Sequence, residues 1–426
     1  MSLAAVLAIG TLIRVVVPSL FPRITDALAS TVETSTPIDS FRSIQEAFYL
    51  LKNDLDVYDG GVVYHPPLLV SLLNLVNDAF PENYVFIVFN ILYAIVDLGI
   101  ACKLIRANQW YDEHQRKRSK IEGSPFSSTF IAAFYLFNPL MILTNWSHST
   151  AVFSYFLIIE SVVQVVVDHN PFRAMIALAV GAYLSLTPGF LVVPVIALAF
   201  TVSADRDYTR LAVQCSAIFI ASMATLLSLS FILSGTPDFF YQCYGNILFF
   251  DKFSPNMGLW WYIFTEMFDF FTPLYKGIFN LYHVIFVVPI TVRFFERESE
   301  PQIGDSFLAV VMAHTWLSFS KSYPIIGDLG FVLSMLPIFK NTVIPHTKFM
   351  LINALTLIIC LLLAPIFYYC WIVLGNGNSN FFFSMSLIWG GVYIVIFLDF
   401  IWGRLVFDYI QTNEVKDRKA LRLTQI

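Results

Sequence analysis

Residues 349–402 read FMLINALTLIICLLLAPIFYYCWIVLGNGNSNFFFSMSLIWGGVYIVIFLDFIW. Two apolar runs, 349–372 and 381–402, each reach the roughly 20 residues that a helix needs to cross a bilayer. Asp399 is the only charged residue in the stretch. Between the runs lies Gly375-Asn376-Gly377-Asn378-Ser379-Asn380-Phe381. A plain turn needs only one Asn-Gly or Gly-Asn pair. Three asparagines and a serine offer many neutral donors and acceptors, a set suited to phosphate oxygens and sugar hydroxyls. The stretch reads as a membrane hairpin with a polar tip.

The same pattern runs through the whole chain. Its 426 residues are 57% hydrophobic and 13% charged, with 42 Phe and a mean hydropathy of +0.70. Soluble domains carry about 25% charge, and so few polar side chains cannot coat several soluble cores. Five cysteines are too few for a disulfide scaffold. A net charge of −5 gives no footprint for a nucleic-acid partner. The chain therefore reads as an all-α, polytopic membrane protein with about 12 transmembrane helices. The expected spans are 3–21, 84–105, 126–144, 150–168, 172–187, 189–203, 211–233, 275–292, 306–320, 325–340, 349–372 and 381–402. Pro66–Phe80 and Leu259–Phe271 are too short or too interrupted, and read as interfacial or re-entrant helices.

Basic residues cluster on cytosolic loops, and this sets orientation independently of the spans. With the amino terminus in the cytosol, 18 of the 25 Lys and Arg fall on that side. They include the run Arg116-Lys117-Arg118 with Lys120, then Arg206, and the tail residues Arg404, Lys416, Arg418, Lys419 and Arg422. Both termini are thus expected in the cytosol, with Ser2–Phe21 retained as an anchor, since it lacks a basic start and a cleavage site. No repeat or linker divides residues 1–426, which read as one membrane domain. Its non-spanning parts are a first loop over 22–83, a basic cytosolic loop over 106–125, an aromatic loop over 235–274 and a tail over 403–426.

Candidate chemistry sits on the non-cytosolic side. In the acidic first loop, Ser40–Leu51 spaces Phe41, Ile44, Phe48 and Leu51 as a surface helix. Asp39 just before it reads either as its cap or as a catalytic or headgroup-contacting carboxylate. His65, at the start of a His-Pro-Pro turn, can cap that turn or meet a phosphate or sugar. Asn256 belongs to an aromatic block, Ser254 to Tyr262, that reads as a membrane belt or as a contact for acyl chains or a sugar ring. Lys321, in the turn with Tyr323 and Asp328, either snorkels or meets a phosphate. Within spans, Asp97 is the deep carboxylate and reads as an interhelical polar contact, while Glu160 and Asp399 lie near cytosolic ends. No nucleophile elbow, metal-ligand set or cofactor motif is present.

Taken together, these segments resemble the class U subunit family of the glycosylphosphatidylinositol (GPI) transamidase. The likeness rests on Ser35-Thr36-Pro37, Val57-Tyr58 through Pro67-Leu68, Phe137-Asn138-Pro139 and Ser254 through Tyr262 with Glu266-Met267-Phe268. It continues through Lys321-Ser322-Tyr323-Pro324 with Gly327-Asp328, and Gly375 through Phe382, in order along nearly the whole chain. The resemblance implies an endoplasmic-reticulum membrane location, with the non-cytosolic side facing the lumen. It implies a non-catalytic subunit that helps bind the GPI lipid, while the cysteine-protease chemistry lies on another chain. The implied partners are that catalytic subunit, the accessory T, S and GPI-attachment subunits, the GPI lipid and membrane phospholipids. The GPI headgroup is then expected to meet Asn376, Asn378, Ser379 and Asn380, with Lys321, Tyr323, Asp328, His65 and Asn256 as further contacts. A more distant likeness to type C glycosyltransferases, including GPI mannosyltransferases, implies their architecture. There an acidic pair in the first lumenal loop carries catalysis, whereas Pro37-Ile38-Asp39 offers one carboxylate. The alternative function is a mannosyltransferase using dolichol-phosphate mannose, with Asp39 as base.

Overall fold

The computed structural model describes residues 1–119, 123–203, 207–297, 303–413 and 415. Lys120, Arg206, Lys416, Arg418, Lys419 and Arg422 lie outside the described residues, as does half of the tail. Among the described residues every regular element is helical. The first helix, α1, is Leu3–Leu20, and the first loop holds α2 (Pro22–Leu28), α3 (Phe41–Lys52) and α4 (Pro67–Ala79). Then come α5 (Glu82–Ser119), α6 (Ser128–Leu136), α7 (Pro139–Trp146), α8 (Ala151–Val166), α9 (Pro171–Ser185) and α10 (Val192–Val202). The long α11 (Tyr208–Ser234) leads to the aromatic loop with α12 (Asn246–Phe249) and α13 (Trp260–Glu266). The chain ends with α14 (Thr272–Phe294), α15 (Ser306–Ser320), α16 (Ile326–Met335), α17 (Met350–Tyr368) and α18 (Ser379–Thr412).

Each expected span coincides with a helix or a helix pair, yet the helices are of two kinds. Among the described residues six are long and apolar enough to cross a membrane: α1, α5, α11, α14, α17 with its extension to Val373, and α18. The 126–144 span is the pair α6–α7, bent by 52°, which makes a seventh crossing if counted as one. The break has a local cause: Pro139 opens α7, and Asn138 caps it by accepting from the Leu140 N–H at 3.1 Å. The remaining apolar helices run 10–17 residues. Nearly all of α15 is buried inside the bundle, whereas α11 lies almost wholly on its outside.

Two expected loops are helical instead. The basic segment after residue 105 continues α5 as far as Ser119, one face of it buried through Asn108, Tyr111 and Gln115. An Asp112–Arg116 pair at 2.7 Å supports this part at helical spacing. Residues 403–412 likewise continue α18. Within the bundle, Asp97 meets its expected partner across helices. It pairs with Arg14 of α1 and accepts from Tyr135 at 2.7 Å and Asn145 at 3.0 Å. Arg14, which interrupts the first apolar segment, is thus the counter-charge. Asp399 is buried and takes the Lys348 and Phe349 N–H groups at 2.9 and 3.0 Å, fastening the start of α17.

Candidate functional site

One end of the bundle gathers the first loop, the aromatic loop, the 321–325 turn and the 374–378 turn. Here α15 ends at Ser320 and Lys321 turns inward. Its ammonium lies 3.1 Å from Asp39 and 3.4 Å from Asp328. Asp328 sits in the first turn of α16, where it accepts from the Ile325 N–H at 2.9 Å and from the Tyr155 hydroxyl at 2.9 Å. The first loop is tied down on both sides of Asp39: Ile326 N–H donates to Glu33 O at 2.8 Å, and Thr150 N–H to Asp39 O at 3.1 Å. Ser40, not Asp39, occupies the cap position of α3, leaving the Asp39 carboxylate free to turn inward.

Burial sets the protonation of this cluster. Asp39 is 2% exposed; desolvation pushes its carboxyl above the usual carboxylate range, and the Lys321 ammonium only partly offsets this. Desolvation opposes the Lys321 charge, but Asp328 and Asp39 together hold it above its ordinary value. His65 is also buried and faces the Thr150 hydroxyl at 3.1 Å; desolvation lowers it to about 3, so it is neutral. The cavity beside the trio measures ≈ 20 Å³.

Asn256 and Tyr323 are buried frame residues. The Asn256 amide donates to Ser254 O at 3.2 Å and Ser322 O at 3.4 Å, and accepts from the Gly258 N–H at 2.8 Å. Ser386 of α18 donates to Asn256 O at 3.2 Å, so this block joins α18 to the Lys321 turn. Gly258 is required by closeness: a Cβ there would stand 2.8 Å from the Pro324 ring. Tyr323 donates to Lys252 O at 3.0 Å and packs on Phe250, with ring centroids 4.8 Å apart.

The asparagine turn is built differently. Gly375 takes φ +63°, the left-handed region open to glycine, and lets the chain leave the α17 extension. Asn378 caps α18, its side chain accepting from the Asn380 N–H at 3.1 Å. Asn380 accepts from the Tyr262 hydroxyl of α13. The Tyr262 ring stacks on Phe383 at 4.0 Å, and Trp261 stacks on Trp371 at 5.8 Å. Asn376, Asn378 and Asn380 are exposed and Ser379 half-buried. The turn is therefore a donor-rich surface on an aromatic base, next to the exposed apolar end of α17 and its extension (Leu362, Ile366, Ile372, Val373).

The structure thus sorts the nine expected contacts. Asn376, Asn378, Ser379 and Asn380 reach the surface, whereas Lys321, Tyr323, Asp328, His65 and Asn256 are buried and bonded within the protein. Sequence reasoning missed Tyr262 as the partner of Asn380, and it missed Tyr155 and His314 beside the ion cluster. An ionisable His314 inside an apolar helix was the available signal. It also missed the opposite end. There Arg404, expected as a tail cation, is wholly buried and pairs with Asp305 at 2.9 Å and Asp408 at 2.8 Å. Tyr111 donates to Asp305 at 2.6 Å, and Glu296 meets Arg118 and His114, each at 2.9 Å.

What these features define is a multi-pass helical membrane protein that shows a neutral polar turn at its loop-rich end and keeps its ionic clusters inside. The profile of the family "GPI transamidase subunit PIG-U" matches residues 8–389. The chain is similar to the GPI transamidase component GAB1 of Saccharomyces cerevisiae, 34% identical over 428 residues covering all of both chains. It is also similar to the human GPI-anchor transamidase component PIGU, 26% identical over 91% of this chain and 90% of that one. The GAB1 homolog of Schizosaccharomyces pombe is 27% identical over 94% and 93%. The chain belongs to the PIG-U family of GPI transamidase subunits.

Proposed function

We propose that this chain is the subunit that holds the GPI lipid in position for a GPI transamidase, contributing no catalytic residue of its own. The observation that carries this reading is the exposed turn Asn376–Asn380, seated on Trp261 and Tyr262 and continuous with the exposed apolar flank of α17. Neutral amides bond phosphate and sugar oxygens without demanding a fixed ligand charge, and the apolar flank below suits acyl chains. Asn376, Asn378, Ser379 and Asn380 make the headgroup contacts. Lys321, Tyr323, Asp328, His65 and Asn256 serve the site as its frame.

The wider reading is a single membrane domain in the endoplasmic reticulum. It crosses the bilayer about 12 times in a type C glycosyltransferase-like layout, with both termini cytosolic. Its partners are the cysteine-protease subunit that carries the chemistry, the accessory T, S and GPI-attachment subunits, and surrounding phospholipids. The burial of Asp39 against Lys321 supports a non-catalytic role over mannosyl transfer. Replacing Asn376, Asn378 and Asn380 together with alanine tests the assignment. GPI attachment is expected to fall at least tenfold while the variant still co-purifies with its partner subunits. Unchanged attachment removes the turn from the site.

A further inference from the structure

The cavity beside Lys321, ≈ 20 Å³, is about the space one water molecule needs. His314 of α15 and Ser154 of α8 line it together with the charged trio. His314 is 4% exposed, and among the described residues neither ring nitrogen has a protein partner. A neutral imidazole carries one donor and one acceptor, and leaving both unmet in the interior is costly. The Tyr393 hydroxyl of α18, within electrostatic reach of Asp328, is buried and also without a partner among the described residues. A water-sized space beside a charged trio and an imidazole whose donor and acceptor are unmet is where a buried water belongs.

The charges of the same cluster do not balance. Asp39 and Asp328 face one ammonium, Lys321, so with both carboxylates ionised one negative charge is left over in the interior. Asp328 is well served by the Ile325 N–H, the Tyr155 hydroxyl and the start of α16. Asp39 has Lys321 and, at 3.4 Å, the Thr36 hydroxyl. Asp39 is therefore the acid where a proton relieves the imbalance at least cost, in agreement with the effect of its burial. The other titratable groups around it are Tyr93 of α5, Tyr155 of α8, Tyr393 of α18, His314 of α15, and His65 and His148 beside Thr150. Desolvation lowers both His65 and His148 to about 3, so neither supplies positive charge.

We propose that this chamber binds one water molecule and one proton, the water against His314 and the proton on Asp39, and that the proton-loaded state is the one in which the first loop is fastened to the bundle. The inference stands independently of the lipid reading. The sign follows from linkage. Fastening raises the Asp39 acid above its value in a detached, hydrated loop, so the fastened state holds more protons and weakens as pH rises. His65 and His148 act in the opposite sense, because they gain protons only on detachment. Glu33, whose carboxyl burial also pushes up, acts in the same sense as Asp39, so the Asp39 share is isolated by a variant.

Hydrogen exchange of the full chain in detergent, followed at residues 33–44 from about pH 4, near the ordinary carboxyl value, up to about pH 9 and corrected for intrinsic rates, reads the effect. Asp39→Asn mimics the protonated acid, so protection is expected to stay high in the variant while that of the wild type falls about tenfold relative to it as pH rises. Parallel wild-type and D39N profiles overturn the proposal, and so does a D39N chain that fails to fold. His314→Gln keeps a donor and an acceptor, and is expected to retain the wild-type pH profile. Loss of that profile in H314Q, or an empty cavity in a map that resolves waters, overturns the water assignment.

Discussion

The 321–328 turn and the 375–380 turn both offer polar side chains at the end of an apolar helix, and both read from sequence as headgroup contacts. At the same end of the bundle one turn is buried and the other exposed. Lys321 and Asp328 satisfy each other, with Asp39 arriving from the first loop, and their polar atoms are spent inside the protein. The asparagines have no charge to neutralise; one caps α18, one takes the Tyr262 hydroxyl, and the rest of their hydrogen-bonding capacity faces outward. The comparison teaches that in a membrane protein a charge is drawn to a counter-charge in the interior, whereas a neutral amide can remain at the surface.

Substitutions probe this contrast. The largest effect is expected for Lys321→Met, which strands Asp39 and Asp328 without their shared cation. A loss of about 3–5 kcal/mol is expected in unfolding of the purified chain, and a loss below 1 kcal/mol denies the cluster its structural role. Gly258→Ala comes next, since its methyl group meets the rigid Pro324 ring. Overpacking there costs about 1–3 kcal/mol, read as a drop in melting temperature together with altered fluorescence of the neighbouring Trp260 and Trp261. Asn378→Ala removes the α18 cap and costs about 1 kcal/mol, while GPI attachment falls by more than that stability change explains. Tyr262→Phe is the mildest. It gives up one hydrogen bond at a half-exposed site, about 0.5 kcal/mol, and is expected to raise exchange at Asn380 without unfolding α13.

Much of the architecture was legible because hydropathy reports burial in lipid and in protein alike. That ambiguity is also why the span count did not follow. The interior helix α15 is as apolar as the outer helix α11, and only packing tells them apart. The break at Asn138-Pro139 was written in a proline and a capping residue, whereas the helical run of α5 beyond residue 105 was hidden by charges that look like a loop. At the site, the asparagine turn was readable because its chemistry is local. The Lys321 cluster was not, because its three members come from residues 39, 321 and 328, and sequence spacing says nothing about a contact across 282 positions. The same holds for Arg14 with Asp97 and Arg404 with Asp305.

The central claim is that the lipid headgroup meets the open turn and not the closed cluster. A small diazirine side chain placed at position 376, and separately at position 318 beside the buried cavity, tests this in the assembled transamidase with GPI present. The account predicts that light couples the GPI lipid to the chain from position 376 and not from position 318. Coupling from position 318 alone would contradict it.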